Sequence, residues 1–139
     1  MLNFPIKALS IRQPWAWAII YAGKDIENRA WGASNFRGSL AIHAAKGMTR
    51  LEYLKAREFM KDIGVICPPA VELQRAGIIG TVEIIDFVRT SESPWFMGPA
   101  GLVLRDPKPC RFRAVIGALG FFNWVESRPP QAPQSLYEC

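Results

Sequence analysis

The chain has 139 residues, half of them apolar and 21% charged, an ordinary globular composition that allows one compact domain with a real hydrophobic core. Its formal charge of +5 is a mild basic excess, compatible with RNA or DNA without requiring either. Three scattered cysteines (Cys67, Cys110 and Cys139), no CxxC pair and a single histidine, His43, exclude a zinc or iron–sulfur site, so neither metal nor cofactor is expected.

In chain order, Ala8 to Ile11 reads as a short strand interrupted by Pro14. Proline is welcome in the first turn of a helix, so residues 14–22 read as a short helix with Gly23 at its C-terminal cap. The helix is apolar nearly all round, as expected of one plugging the mouth or core of a sheet. It is far too short to span a bilayer, and no small-residue cleavage site follows it, so no membrane association is expected. Odd, scattered thiols fit a reducing cytoplasm. Residues Ile26 to Trp31 form a second strand, Gly32 to Gly38 a loop carrying Arg37, and Ser39 to Ala45 a third strand. Its alternation puts Leu40, Ile42 and Ala44 on one side and Ser39, Ala41 and His43 on the other.

Thr49 and Glu52 match a capping box, opening a helix that runs to Ile63 and stops at Gly64. Tyr53, Ala56, Met60 and Ile63 form its inward face, with Arg50, Lys55, Arg57 and Lys61 solvated. Pro68-Pro69 begins a second short helix ending near Gly77. Ile78 to Val88 is the clearest strand, with Gly80 marking a bulge or close approach and Glu83 an acidic residue in an apolar run. Thr90 to Gly101 is a Pro- and Gly-rich loop around Trp95, an exposed-looking aromatic. Gly101–Leu104 and Arg111–Phe121 supply further strands separated by a Pro107–Pro109 turn. From Ser127 the chain reads as a loosely docked or flexible tail, leaving one domain over residues 1–126 and a Pro-rich tail over 127–139. Several short strands, few helices and regular turns suggest a small closed or half-closed barrel.

The most informative stretch is Gly23-Lys24-Asp25-Ile26-Glu27-Asn28-Arg29, where charges of both signs follow directly on an apolar helix. Charge between two buried elements is costly unless paired or used. Glu27 and Arg29 are two apart on a strand and share a face that Trp31 continues, with Lys24 at the turn. A carboxylate, a guanidinium, an ammonium and an indole suit an anionic, planar ligand. The plainer reading is a surface salt bridge worth under about 1 kcal/mol. His43 reads as a hydrogen-bonded core or rim residue rather than a catalytic base.

The residues Ser10-Ile11-Arg12-Gln13-Pro14-Trp15, the run Gly23-Lys24-x-x-Glu27-x-Arg29, Arg37-Gly38 and Ile42-His43-Ala44-Ala45-Lys46 together resemble the ASCH domain (ASC-1 homology) family over residues 8–122. The family's GxKxxExR signature is here closed up to GKxxExR. The resemblance implies an α+β fold of the PUA-like kind, a small mixed β-barrel of about five to six strands with helices at its ends. It also implies RNA binding, coactivator function or modified-nucleoside chemistry, with the ligand in a cleft beside the first helix.

One branch of the family hydrolyses N4-acetylcytidine with a Lys, a Thr and a Glu. Lys24 matches that lysine, Glu27 stands where the threonine would be, and Glu83 is the candidate for the glutamate. Lys24, Glu27 and Glu83 are therefore the catalytic candidates for a metal-independent hydrolase. Arg12, Gln13, Trp15, Arg29, Trp31, Arg37, His43, Lys46 and Trp95 are the candidates for holding RNA or a nucleotide-like small molecule. Trp15 and Trp17, on the apolar helix, suit the core, which leaves Trp95 the better stacking ring. A third reading, a protein-interaction module, rests on the Trp95–Met97 loop.

Overall fold

A computed structural model describes residues 4–30 and 35–127. Strands β1 (Lys7–Ile11), β2 (Ile26–Asn28), β3 (Gly38–Ala44), β4 (Gly77–Val88), β5 (Gly101–Ala114) and β6 (Phe121–Asn123) form one sheet in the order β2-β5-β4-β3-β1-β6. Only β1 and β3 run parallel; the other neighbours are antiparallel, and the sheet curls into a half-barrel. Helix α1 (Trp15–Tyr21) and helix α2 (Arg50–Asp62) complete this small α+β barrel, as the strand-rich pattern predicts.

The period-2 pattern of the strands decides where the core lies. Leu9, Ile11, Leu40, Ile42, Ala44, Ile79, Val82, Ile84, Leu102 and Leu104 bury one face of the sheet against Ala16, Ile19 and Ile20 of α1. Each such aliphatic side chain contributes roughly 1.5–3 kcal/mol when fully buried. Ala41 and His43, on the opposite side of β3, are buried as well, Ala41 in a cluster with Ala8, Ile78, Val115 and Trp124. The Trp124 indole donates to the Pro5 carbonyl at 2.7 Å, which fixes the end of the chain's described part over that face.

Helix α2 starts as its sequence requires. Thr49 accepts from the Glu52 amide at 3.1 Å while the Glu52 carboxylate accepts from the Thr49 amide at 2.7 Å, so two orphan donors are satisfied reciprocally. Tyr53, Ala56 and Met60 turn inward, and Gly64 beyond the helix end has φ +85°. On β4 the register shifts between Ile78 and Gly80. A Cβ on Gly80 would stand 2.5 Å from the Lys108 carbonyl oxygen and 2.7 Å from Ile20 Cδ1, so this glycine lets α1 and β5 close on β4.

Several expected elements differ. The helix after Pro68-Pro69 is a single 3-10 turn, Ala70–Glu72, because the segment has few apolar residues to bury. Pro107 and Pro109 do not break the chain into two strands: β5 runs through both, and register shifts between Thr81 and Glu83 absorb the extra residue. Asp106 there takes φ +60°. β5 ends at Ala114 rather than Phe121, and β6 is a separate three-residue strand. β2 ends at Asn28; Trp31, expected to continue it, and the expected tail from 128 onward lie outside the described residues. Among the described residues no helix is long and apolar enough to cross a membrane.

Candidate functional site

The link between α1 and β2 sets the site. Gly23 adopts φ +75°, a left-handed conformation that costs glycine little, and the chain turns sharply there. The amides of Ala22 and Lys24 both return to the Ala18 carbonyl, at 2.9 and 3.1 Å. β2 is held to β5 with Glu27 opposite Leu102, and the Arg29 amide donates to the Ala100 carbonyl at 3.0 Å. Three charged side chains thus leave a main chain that is fixed on both sides.

They meet one another. Lys24 is only 3% exposed; its ammonium donates to the Ile26 carbonyl, lies 3.5 Å from Glu27 Oε1 and stands 5.8 Å over the Trp15 ring. Glu27 Oε2 lies 3.4 Å from Arg29 Nε, so each carboxylate oxygen faces a different cation. Arg29 Nη2 donates to the Ser10 carbonyl at 3.1 Å, which ties the cluster to β1. The Arg29 Nε is buried and makes no hydrogen bond among the described residues. Its side chain is 24% exposed, so Arg29 lies at the edge of the buried cluster rather than sealed within it.

Burial pushes the Lys24 ammonium below the ordinary lysine value, and the Glu27 carboxylate pulls it partway back. Two cations around one carboxylate leave the cluster with a net positive charge. It can meet an anion or a carbonyl through Arg29 while Glu27 offers an acceptor. A cavity of about 220 Å³ lies beside the same turn, walled by Lys24, Asp25, Val82, Leu104, Arg105 and Pro107 among others. Arg105 escaped the sequence reading, since it lies where a turn between two strands was expected. Only the pairing of β4 with β5, which sets it opposite Glu83, reveals its place.

The other candidates separate. Glu83 binds Arg105 at 2.9 Å, both side chains more than a third exposed, so it stands at the edge of the 220 Å³ cavity through Arg105 rather than in contact with Glu27. Arg12 forms a two-pronged pair with Glu52 of α2, at 3.1 and 2.5 Å. That pair holds the Glu52 carboxyl at about 2, with the Thr49 amide adding to the effect. Gln13 is buried and structural: its Oε1 accepts from the Trp17 amide at 2.9 Å, and its Nε2 donates to the Gln74 carbonyl at 2.7 Å. Trp15 packs edge-on against Phe59 with ring centroids 5.6 Å apart. Arg37 pairs with Asp86 at 3.6 Å, and Lys46 is exposed with its carbonyl accepting from Arg75 at 2.8 Å.

His43 is buried between Ser10 Oγ at 2.9 Å and the Val115 carbonyl at 2.7 Å. A carbonyl only accepts, so Nε2 carries the proton and Nδ1 accepts from the Ser10 hydroxyl. Burial lowers the His43 pKa, and the ring is a neutral core group.

Trp95 corrects an expectation. It is 4% exposed, packed with Ala18, Ile26, Met60 and Leu73, and its ring is tilted against Phe59 at 5.9 Å. A stacking platform needs a free face, and this indole has spent its area in the core. The loop that carries it is pinned to β2: Asn28 donates to the Trp95 carbonyl at 3.0 Å and accepts from the Met97 amide at 2.8 Å. The sequence shows a Pro- and Gly-rich loop but not the asparagine that folds it inward.

Compared with known families, residues 9–98 match the model of the ASCH domain, a stretch that contains the whole Lys24–Glu27–Arg29 cluster and all of β4. No curated protein matches the chain significantly.

Proposed function

We propose that this chain, which belongs to the ASCH domain family, binds RNA or a nucleotide-like ligand beside α1 through the Lys24–Glu27–Arg29 cluster. The family is one thought to bind RNA. The observation that carries the reading is Arg29: a part-exposed side chain whose guanidinium is anchored by Nη2 at the Ser10 carbonyl and by Nε at the Glu27 carboxylate. An anchored guanidinium on a part-exposed side chain is suited to a phosphate or a base carbonyl, since little freedom is lost on binding. Glu27 accepts from a base edge, and Lys24 supplies a second positive charge from below. Residues 1–126 act as the binding domain. The free thiol of Cys67 suits a reducing compartment such as the cytoplasm.

The test is fluorescence anisotropy with a labelled single-stranded RNA over a salt series. Affinity should fall steeply with salt as phosphate contacts release counterions. Arg29→Ala should weaken binding and reduce the salt slope by about one. Absence of any salt-sensitive signal at micromolar protein would end the nucleic-acid reading.

A second reading rests on Lys24. Burial lowers its pKa and so brings the amine closer to a working base, while Glu27 at 3.5 Å orients it. In this reading the pocket hydrolyses an N4-acylated cytidine: neutral Lys24 or Glu27 takes a proton from water as the water oxygen bonds to the acyl carbon, then returns that proton to N4 as the C–N bond breaks, releasing cytidine and the acid. Glu83 takes no direct part in the observed cluster. Incubation with N4-acetylcytidine decides the matter, and turnover no greater than that of Lys24→Ala sinks it.

A further inference from the structure

On the side of α1 that carries Trp17 and Tyr21, the helix and the 68–74 segment border a half-open cavity of about 230 Å³ with a mixed polar and apolar lining. It is lined by Trp17 and Tyr21 on the helix side, by Pro68, Glu72 and Gln74 on the other, and also by Gln13 and Ile79. Trp17 and Tyr21 are four residues apart on one helix face, their rings 26° from parallel with centroids 6.5 Å apart. Tyr21 is 55% exposed, unusual for a ring on an otherwise apolar helix.

The walls are held before any ligand arrives. Gln13 joins the first turn of α1 to the Gln74 carbonyl, and the Tyr53 hydroxyl donates to the Pro68 carbonyl at 2.6 Å. The 3-10 turn carrying Glu72 closes on itself through the Glu72 amide and the Pro69 carbonyl at 2.9 Å. The cavity is smaller than the ~300 Å³ lower end of drug-sized pockets, so it suits one planar ring system rather than an extended chain.

We propose that this cavity is a base-sized subsite for a purine that offers a donor edge, guanine above all. The choice of ligand class rests on the nucleotide reading above; the site itself is separate from the Lys24 cluster. The purine lies along the Trp17–Tyr21 rings, and the Glu72 carboxylate accepts from the ring N–H and the exocyclic amine side by side. A carboxylate favours that two-donor edge over a base presenting carbonyls. Stacking on the rings supplies sequence-tolerant affinity, and Glu72 supplies the preference.

The experiment titrates guanosine, inosine and uridine, all free of phosphate, into ¹⁵N-labelled protein. The readout is the indole N–H signal of Trp17, assigned with Trp17→Phe. Guanosine should move that signal saturably, inosine more weakly because it lacks the 2-amino donor, and uridine least. Glu72→Gln should weaken guanosine binding about tenfold and narrow its lead over inosine, and Tyr21→Ala should remove most of the response. Both positions are exposed, so thermal melts should stay near the parent's. Arg29→Ala should leave the guanosine response intact even where it abolishes RNA binding, which separates failure of the cluster from failure of this subsite. A Trp17 signal indifferent to guanosine, or one that moves in Glu72→Gln and Tyr21→Ala as it does in the parent, overturns the proposal.

Discussion

Glu27→Gln keeps the shape of the side chain and removes only its charge, so it isolates the electrostatics of the cluster. In the parent the carboxylate lies 3.5 Å from the Lys24 ammonium and 3.4 Å from Arg29 Nε. Unit charges about 4 Å apart interact by about 4 kcal/mol at an effective dielectric near 20, and desolvation offsets much of that. Breaking a buried pair by removing one partner costs about 3–5 kcal/mol. Because Arg29 is part-exposed, the lower end applies, about 3 kcal/mol.

With a urea slope of about 1.5 kcal/mol per molar, the unfolding midpoint should fall by about 2 M at pH 7. The loss has a pH signature. Lys24 is held below its unfolded value, so the unfolded state binds the extra proton, and stability rises with pH from the folded Lys24 pKa up to about 10.5. Without Glu27 that pKa falls further. The gap between variant and parent should therefore narrow as pH climbs from the variant's folded Lys24 pKa to the parent's, above which the amine is neutral in both folded proteins. Urea melts at pH 7 and pH 9.5 read both effects. A variant as stable as the parent at pH 7 would refute the account of the cluster as mutually dependent charges.

Gly80→Ala places a methyl 2.5 Å from the Lys108 carbonyl oxygen, so it should destabilise by about 1–3 kcal/mol in a thermal melt. The Arg12–Glu52 pair should stabilise the fold above the ordinary carboxylate range and stop doing so as pH falls toward about 2; parent and Arg12→Ala melts should then converge. His43 is kept neutral by burial, so stability should decline as pH drops below about 6.5, where the unfolded histidine takes up a proton. His43→Gln should flatten that decline in melts between pH 7 and pH 5. Thr49→Ala should cost about 1 kcal/mol by leaving the Glu52 amide without its acceptor.

Features governed by neighbours in the chain were legible in advance. The capping box at Thr49 and Glu52, the glycine stops at Gly23 and Gly64, and the bulge at Gly80 are local matters of backbone conformation. The spacing of Lys24, Glu27 and Arg29 belongs with them: a turn followed by a strand points those side chains to one place, and the structure puts them in contact. What misled were features whose outcome depends on a distant partner. Two prolines read as a turn, yet β4 supplied a bulged partner that let β5 run through them. A Pro- and Gly-rich loop read as exposed, yet Asn28, 67 positions away, folded Trp95 into the core.

The barrel class and the charged cluster were thus legible in the linear chain, because hydrophobic period, caps and short-range spacing are local properties, and the family was legible through the motifs that resemble it. The folded arrangement settled which charges share a site. It set Glu83 against Arg105 instead of Glu27, turned Gln13 into the brace of α1, and brought Trp17, Tyr21 and Glu72 around one cavity. Those outcomes follow from strand register and from the packing of α1 on the sheet, and a linear order of residues carries neither.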